Sequence, residues 1–420
     1  MGAVTARKRV IGFLSGSLLV GIAIPAAALV STAPMEANRT VDVAAGVIQR
    51  QFAISTSDGP VEGNVLVVDL NNKRVSADLL FPGAVAARDT VSRMADARGA
   101  VAGISGDFFD VNSIEVDGST IPGTGSPVGP AIADGVELKS AVSAANQRYG
   151  PGLAPGATVA TVIGVGTDRI GRVDELTLDG TVATPYRDFP LDGLNQYALK
   201  EGGIGAFTSV WGSASRIRAT CGSDTDRSAP CSAQTAEVVV DDGVVVQVSD
   251  TPGSGDISED AVVLVGREQG AETLKQLKYG DRVDVDYHLE SGAEQPPFEF
   301  AIGGAPILRV GQPLVGLDDA ARAPRTSAGV SIDGRTLYLV TVDGREESSI
   351  GLTIQELADF MRGIGVADAV NLDGGGSSTF VAREPGEKRV TVQNDPSDGP
   401  ERSVPNGIGI FVKDGLFSDL

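Results

Sequence analysis

Histidine is all but missing from this chain: of 420 residues only His288 is one. A Ser-His-Asp triad, an HExxH zinc protease, a paired-histidine phosphodiesterase and a His-rich dinuclear phosphatase are thereby excluded, because each needs histidines the chain lacks or cannot spare. His288 itself sits in the alternating run Arg282 to Leu289, whose period of two predicts a half-buried strand and an ordinary surface or core-edge residue. Cysteine is nearly as scarce. Cys221 and Cys231 stand close together in a Ser/Asp/Pro-rich stretch without further soft ligands, which argues against a metal site and for a disulfide in an exported chain. Such a short closure stabilises by roughly 2–3 kcal/mol and pins a loop without holding the fold together. Aromatic residues make up 5% and Trp211 is the lone tryptophan, too few for the stacked platforms of an extended sugar groove. Positive charge is deficient: 34 Lys and Arg against 55 Asp and Glu leave −21, which excludes nucleic acid as a partner. An anionic substrate binds such a chain only where arginines or backbone N–H groups reverse the field locally.

Long apolar runs are absent after residue 30, so only the beginning could meet a membrane. There, Arg7, Lys8 and Arg9 precede the apolar stretch Val10 to Val30 and the small residues Ser31, Thr32 and Ala33. This is the pattern of a secretory signal, with an uncleaved anchor as the alternative, and it predicts a secreted or extracytoplasmic protein. Removing the three cations with the signal takes the formal charge from −21 to −24.

Glycine is abundant at 54 residues, which suits short strands and tight turns. Residues 65–70 and 74–80 read as strands around an Asn71-Asn72 turn. Thr90 caps a short helix that Gly99 stops, and the buried strand Ala100 to Ile104 runs into Gly106-Asp107-Phe108-Phe109-Asp110. The same plan recurs later. Thr353 to Glu356 is a capping box, Leu352 and Leu357 form a hydrophobic staple, and Leu357, Phe360, Met361 and Ile364 line one face. Gly363 and Gly365 end this helix, and the strand Ala369 to Leu372 delivers Asp373 into Gly374-Gly375-Gly376-Ser377-Ser378. Between the two units, Asp241-Asp242-Gly243 marks a hairpin. The expectation is an α+β fold of large mixed sheets with few helices. It divides into a signal over 1–33, a body over 51–148 and 293–413, and a β-rich middle subdomain over 149–292 carrying the disulfide.

Two places suit chemistry. Around Asp373, consecutive glycines let the backbone approach a ligand and turn N–H groups inward, while Ser377 and Ser378 add hydroxyls, a nest suited to phosphate oxygens. Asp107 stands between Gly106 and two aromatics that would desolvate it and suit it to proton transfer. Arg325 and Arg402 lie in turn-rich segments before apolar strands, where a guanidinium fork could bind phosphate. Asp107, Asp110 and Asp373 are hard oxygen ligands able to hold Ca2+ or Mg2+, although the reading requires no cofactor.

Several runs together resemble the phosphodiester glycosidase family: Gly106 to Asp110, Ala301-Ile302-Gly303-Gly304-Ala305-Pro306-Ile307-Leu308, Arg325 to Val330, Val342-Asp343-Gly344-Arg345, Asn371 to Thr379, and Arg402 with Val404-Pro405-Asn406-Gly407-Ile408. The resemblance implies an exported hydrolase that removes a sugar from a sugar-1-phosphate diester, with a phosphorylated glycan as partner. Asp107 and Asp373 would be its catalytic carboxylates, and Arg325, Arg402, Asn406 and the Gly374 to Ser378 loop would bind the phosphate. In one departure, Ser105 stands where the family usually has Asn, removing an amide. Two other readings of the same residues are a cell-wall or capsule glycoside hydrolase and a non-catalytic phosphoglycan binder.

Overall fold

The computed structural model describes Gly2 and residues 37–116, 118–143 and 152–413. The signal segment read from Arg7 to Ala33 lies outside the described residues. Within them no helix is long and apolar enough to cross a membrane.

Strands dominate, as an α+β chain with few helices predicts, and nearly all of them pair antiparallel. The largest sheet has eight strands. It begins with the meander Ala37–Ala44, Val47–Ser55 and Pro60–Asp69, and continues through Thr336–Val342, Arg325–Val330, Asp368–Leu372, Ala305–Arg309 and Gln312–Pro313. Side chains alternate across it with the period of a strand. Val65 and Val67 join the cluster under the helix Ile354–Gly363, together with Val340, Leu357 and Met361. Leu66 and Val68 join the central core on the other face. Ala102, Ile104, Ile408 and Ile410 enter that core from a five-stranded sheet ordered Val390–Val392, Phe380–Arg383, Ala102–Ser105, Gly407–Val412 and Val75–Leu80. Ile163, Phe300 and Ile302 enter it from a seven-stranded sheet.

That third sheet joins Thr161–Gly166 and Gly171–Ala183 to Phe298–Gly303, Ala131–Ala133 and Val136–Lys139, with Asp284–Ser291 on its flank. It therefore draws strands from both sides of residues 148 and 292. A further five-stranded sheet, including the hairpin Thr235–Asp241 and Val244–Ser249, has a core of its own around Val238, Leu264 and Leu274. The hairpin turns at Asp242 and Gly243, both with positive φ, as the Asp-Gly signal requires. Cys221 and Cys231 are disulfide-bonded. His288 is exposed on its strand, 3.7 Å from Asp286.

The two helix–strand units form as their caps dictate. Thr90 has extended backbone and accepts from Arg93 N at 3.3 Å, the helix Val91–Arg98 follows, and Gly99 closes it at φ 74°. In the second unit Thr353 Oγ1 accepts from Glu356 N at 3.1 Å while the Glu356 carboxylate accepts from Thr353 N at 2.9 Å. Each helix packs on the outer face of its sheet, and each following strand points its C-terminal end at the same place.

Candidate active site

Asp107 and Asp373 arrive from different sheets and meet. Asp373 N donates to Gly106 O at 2.8 Å, which ties the end of Asp368–Leu372 to the end of Ala102–Ser105. Ser105 is buried in this seam, accepting from Thr379 N at 3.2 Å and lying 3.2 Å from Thr326 Oγ1, so the residue that departs from the family pattern acts as a clasp between the sheets. An amide nevertheless stands beside Asp107. Asn406 Oδ1 accepts from Asp107 N at 2.9 Å, and its buried Nδ2 has no partner among the described residues.

The Asp107 carboxylate is 2% exposed and accepts from Gly129 N at 2.6 Å. Only glycine fits around it. A Cβ on Gly303 would stand 2.6 Å from Asp107 Oδ2, which gives the Ala301 to Leu308 motif a steric purpose. Burial pushes the Asp107 carboxyl up to about 7, with Asp373 adding to the rise and the Gly129 N–H and the Lys139 ammonium opposing it. Lys139, fully buried at the end of Val136–Lys139, gives its ammonium to the carbonyls of Ser140, Gly129 and Val128 at 2.8, 2.9 and 3.3 Å. Burial lowers it to about 7. In sequence, Val136-Glu-Leu-Lys139 has no feature to distinguish this lysine from an exposed one.

Asp373 is carried up to about 6 by burial, opposed by the Ser377 hydroxyl, the Arg402 charge and the Gly374 N–H. Ser377 bridges the two, bonding Asp373 and accepting from Arg402 Nη1 at 3.2 Å. Arg402 also donates from Nε to Asp398 Oδ2 at 3.0 Å.

Three expectations change here. The glycine-rich loop is not an open row of donors: the N–H groups of Gly375, Ser377 and Ser378 go to the carbonyls of Pro324, Gly374 and Gly375, because Gly375–Ser377 closes as a 3-10 turn. What remains is chiefly hydroxyl, and Ser378 Oγ is buried without a partner among the described residues. Arg325 lies against Gly374 through its backbone, but its guanidinium is committed to the carbonyls of Leu352, at 2.8 Å, and Ala321. A different arginine reaches the loop. Arg345 lies so near Gly375 that a Cβ there would be 3.2 Å from its guanidinium, and the signal for it was its place in the Val342 to Arg345 motif. Finally, Asp110 faces Arg218 at 3.1 Å and accepts from Thr124 N at 2.9 Å, so Asp107, Asp110 and Asp373 do not form one ligand set. Among the described residues no group of three or more His, Cys, Asp or Glu side chains could hold a metal ion.

Such an arrangement defines a class: a largely antiparallel α+β protein with one buried and one half-buried carboxylate beside a glycine–serine turn flanked by arginines. Residues 234–411 match the phosphodiester glycosidase family model, so the resemblance read from the motifs holds over that stretch, which includes Asp373 and Arg402. The chain is 35% identical over 141 residues, 32% of its length, to the SPbeta prophage-derived uncharacterized protein YomE of Bacillus subtilis. It is 47% identical over 57 residues, 14% of its length, to N-acetylglucosamine-1-phosphodiester alpha-N-acetylglucosaminidase of Mus musculus. These matches span 20% and 11% of the two relatives. A hypothetical protein from Synechocystis shares the fold with TM-score 0.67 at 19% identity, over 89% of this chain and 64% of the other.

Proposed function

We propose that the protein is an exported glycosidase that cleaves a sugar from a sugar-1-phosphate diester, acting on a phosphorylated glycan. The observation that carries this reading is the pairing of Asp107 with Asp373 at one place, with Arg402 held to Asp373 through Ser377. A non-catalytic binder needs one charge to orient a ligand and gains nothing from desolvating two carboxyls, each of which costs stability. Export rests on the basic and apolar beginning and agrees with the disulfide.

In the reaction the bond between the anomeric carbon and the phosphate oxygen breaks, and its electron pair leaves with the phosphate monoester. Arg402 and Arg345 offset the charge of that leaving group and the Ser378 hydroxyl donates a hydrogen bond to it, so a strong general acid is dispensable. Water supplies the new oxygen on the anomeric carbon and loses a proton to a carboxylate, while the second carboxylate stabilises the oxocarbenium-like centre. Asp107 and Asp373 share these two roles. The test is release of free sugar from a panel of sugar-1-phosphate diesters by the wild-type protein beside Asp373→Asn. Release that the substitution abolishes supports the reading, whereas binding of diesters with no release by the wild type rejects it for a binder.

A further inference from the structure

Lys139 plays no part in that reaction, yet burying an ammonium costs several kcal/mol unless something uses the charge. Its surroundings identify the use. Among the described residues Nζ makes no ion-pair contact with a carboxylate, and its three contacts are backbone carbonyls. One of those carbonyls, Val128 O, belongs to the same peptide group as the Gly129 N–H that holds Asp107 Oδ2 at 2.6 Å. A cation on the oxygen of a peptide group draws electron density from its nitrogen and makes the N–H a stronger donor, the cooperative polarisation of a hydrogen-bonded chain in a low dielectric. Gly129 serves this relay because a side chain there would strike Gly303 Cα at 2.6 Å. Gly129 O, on the next peptide group, anchors the ammonium from the other side at 2.9 Å.

We infer that Lys139 is the positioning residue for Asp107: its ammonium polarises the Val128–Gly129 peptide and thereby fixes the orientation and charge of the carboxylate that this peptide holds. The charged groups facing Asp107 are then Lys139, which favours its anion, and Asp373, which opposes it. The inference rests on the glycosidase reading only for its catalytic consequence, because the coupling is a property of the protein without substrate.

The experiment follows the infrared band of the protonated Asp107 carboxyl, identified by its loss in Asp107→Asn, through a pH titration of the whole protein. In Lys139→Met the band should persist to a pH higher by about 1 unit or more, the effect of removing an opposite charge at close range, while Lys139→Arg, charged throughout the titration, puts the midpoint no higher than wild type. A lysine that only fills space would alter stability and leave the midpoint alone, and that result overturns the inference. Coupling is reciprocal, so a second measurement needs no lysine variant: the carbon-13 resonance of Lys139 Cε should titrate at lower pH in Asp107→Asn than in wild type. An unchanged lysine midpoint there likewise overturns it. Moved midpoints in a protein that cleaves no diester would leave this coupling standing and reject the proposed activity; static midpoints in an active enzyme would do the reverse.

Discussion

Replacing Asp373 by Asn should make the protein more stable at neutral pH while removing its activity. Burial carries this carboxyl from 3.8 to about 6. At 1.36 kcal/mol per pH unit, the charged form costs up to about 3 kcal/mol of folding stability, and partial access of solvent to the residue reduces that to roughly 1–2 kcal/mol. The sign follows from the direction. A carboxyl raised on folding binds its proton more tightly in the native state, so its contribution is intact below pH 3.8 and is lost as pH rises through about 6. Asn keeps the shape and an acceptor for Ser377 but never pays this cost. Urea unfolding of both proteins should therefore give equal stability near pH 4 and a gain for Asp373→Asn that grows to a plateau above about pH 7. Sugar release from a sugar-1-phosphate diester should fall by about 10²–10⁴ in the same variant. A variant less stable than wild type at neutral pH, or a gain independent of pH, would refute the argument that burial governs this carboxyl.

Gly303→Ala sets a Cβ 2.6 Å from Asp107 Oδ2 and should cost about 1–3 kcal/mol in urea unfolding together with most of the turnover. Arg402→Met removes a charge-assisted contact and should lower kcat/KM for a phosphodiester by about ten- to a hundredfold with little change in unfolding midpoint, read by steady-state kinetics. Arg325→Met strands two carbonyls and should show the opposite profile, a loss of about 1–3 kcal/mol in stability with KM unchanged. Thr353→Ala breaks the capping box and should cost about 1 kcal/mol in thermal or urea unfolding without affecting sugar release.

Much of the framework was legible from neighbours in the chain. Thr90, Gly99, the Thr353 to Glu356 box and the Asp242-Gly243 turn act through hydrogen bonds and backbone angles within a few residues, so each element could be read where it stands. Asp107 and Asp373 were legible for the same reason, as acids at strand ends beside glycine. The resemblance in the runs around them implied a shared site, but nothing in either neighbourhood shows how the two meet. That depends on a contact between two sheets, made through Gly106 O and Asp373 N.

The sequence alone determined the absence of imidazole chemistry, the acidity, the helix caps and the acidic residues poised at strand ends. Tertiary structure decided which side chains share the site. Asp107 is gripped by Gly129 and Asn406, 22 and 299 positions away. Asp110 is taken by Arg218 at 108 positions, and the guanidinium of Arg325 by Leu352 at 27. Arg325 and Arg345 both belong to runs that resemble the family, and only packing sends one to main-chain carbonyls and the other to Gly375. Lys139 has no local mark at all, because what makes it unusual is complete burial, and burial belongs to the assembled sheets and not to the residues beside it.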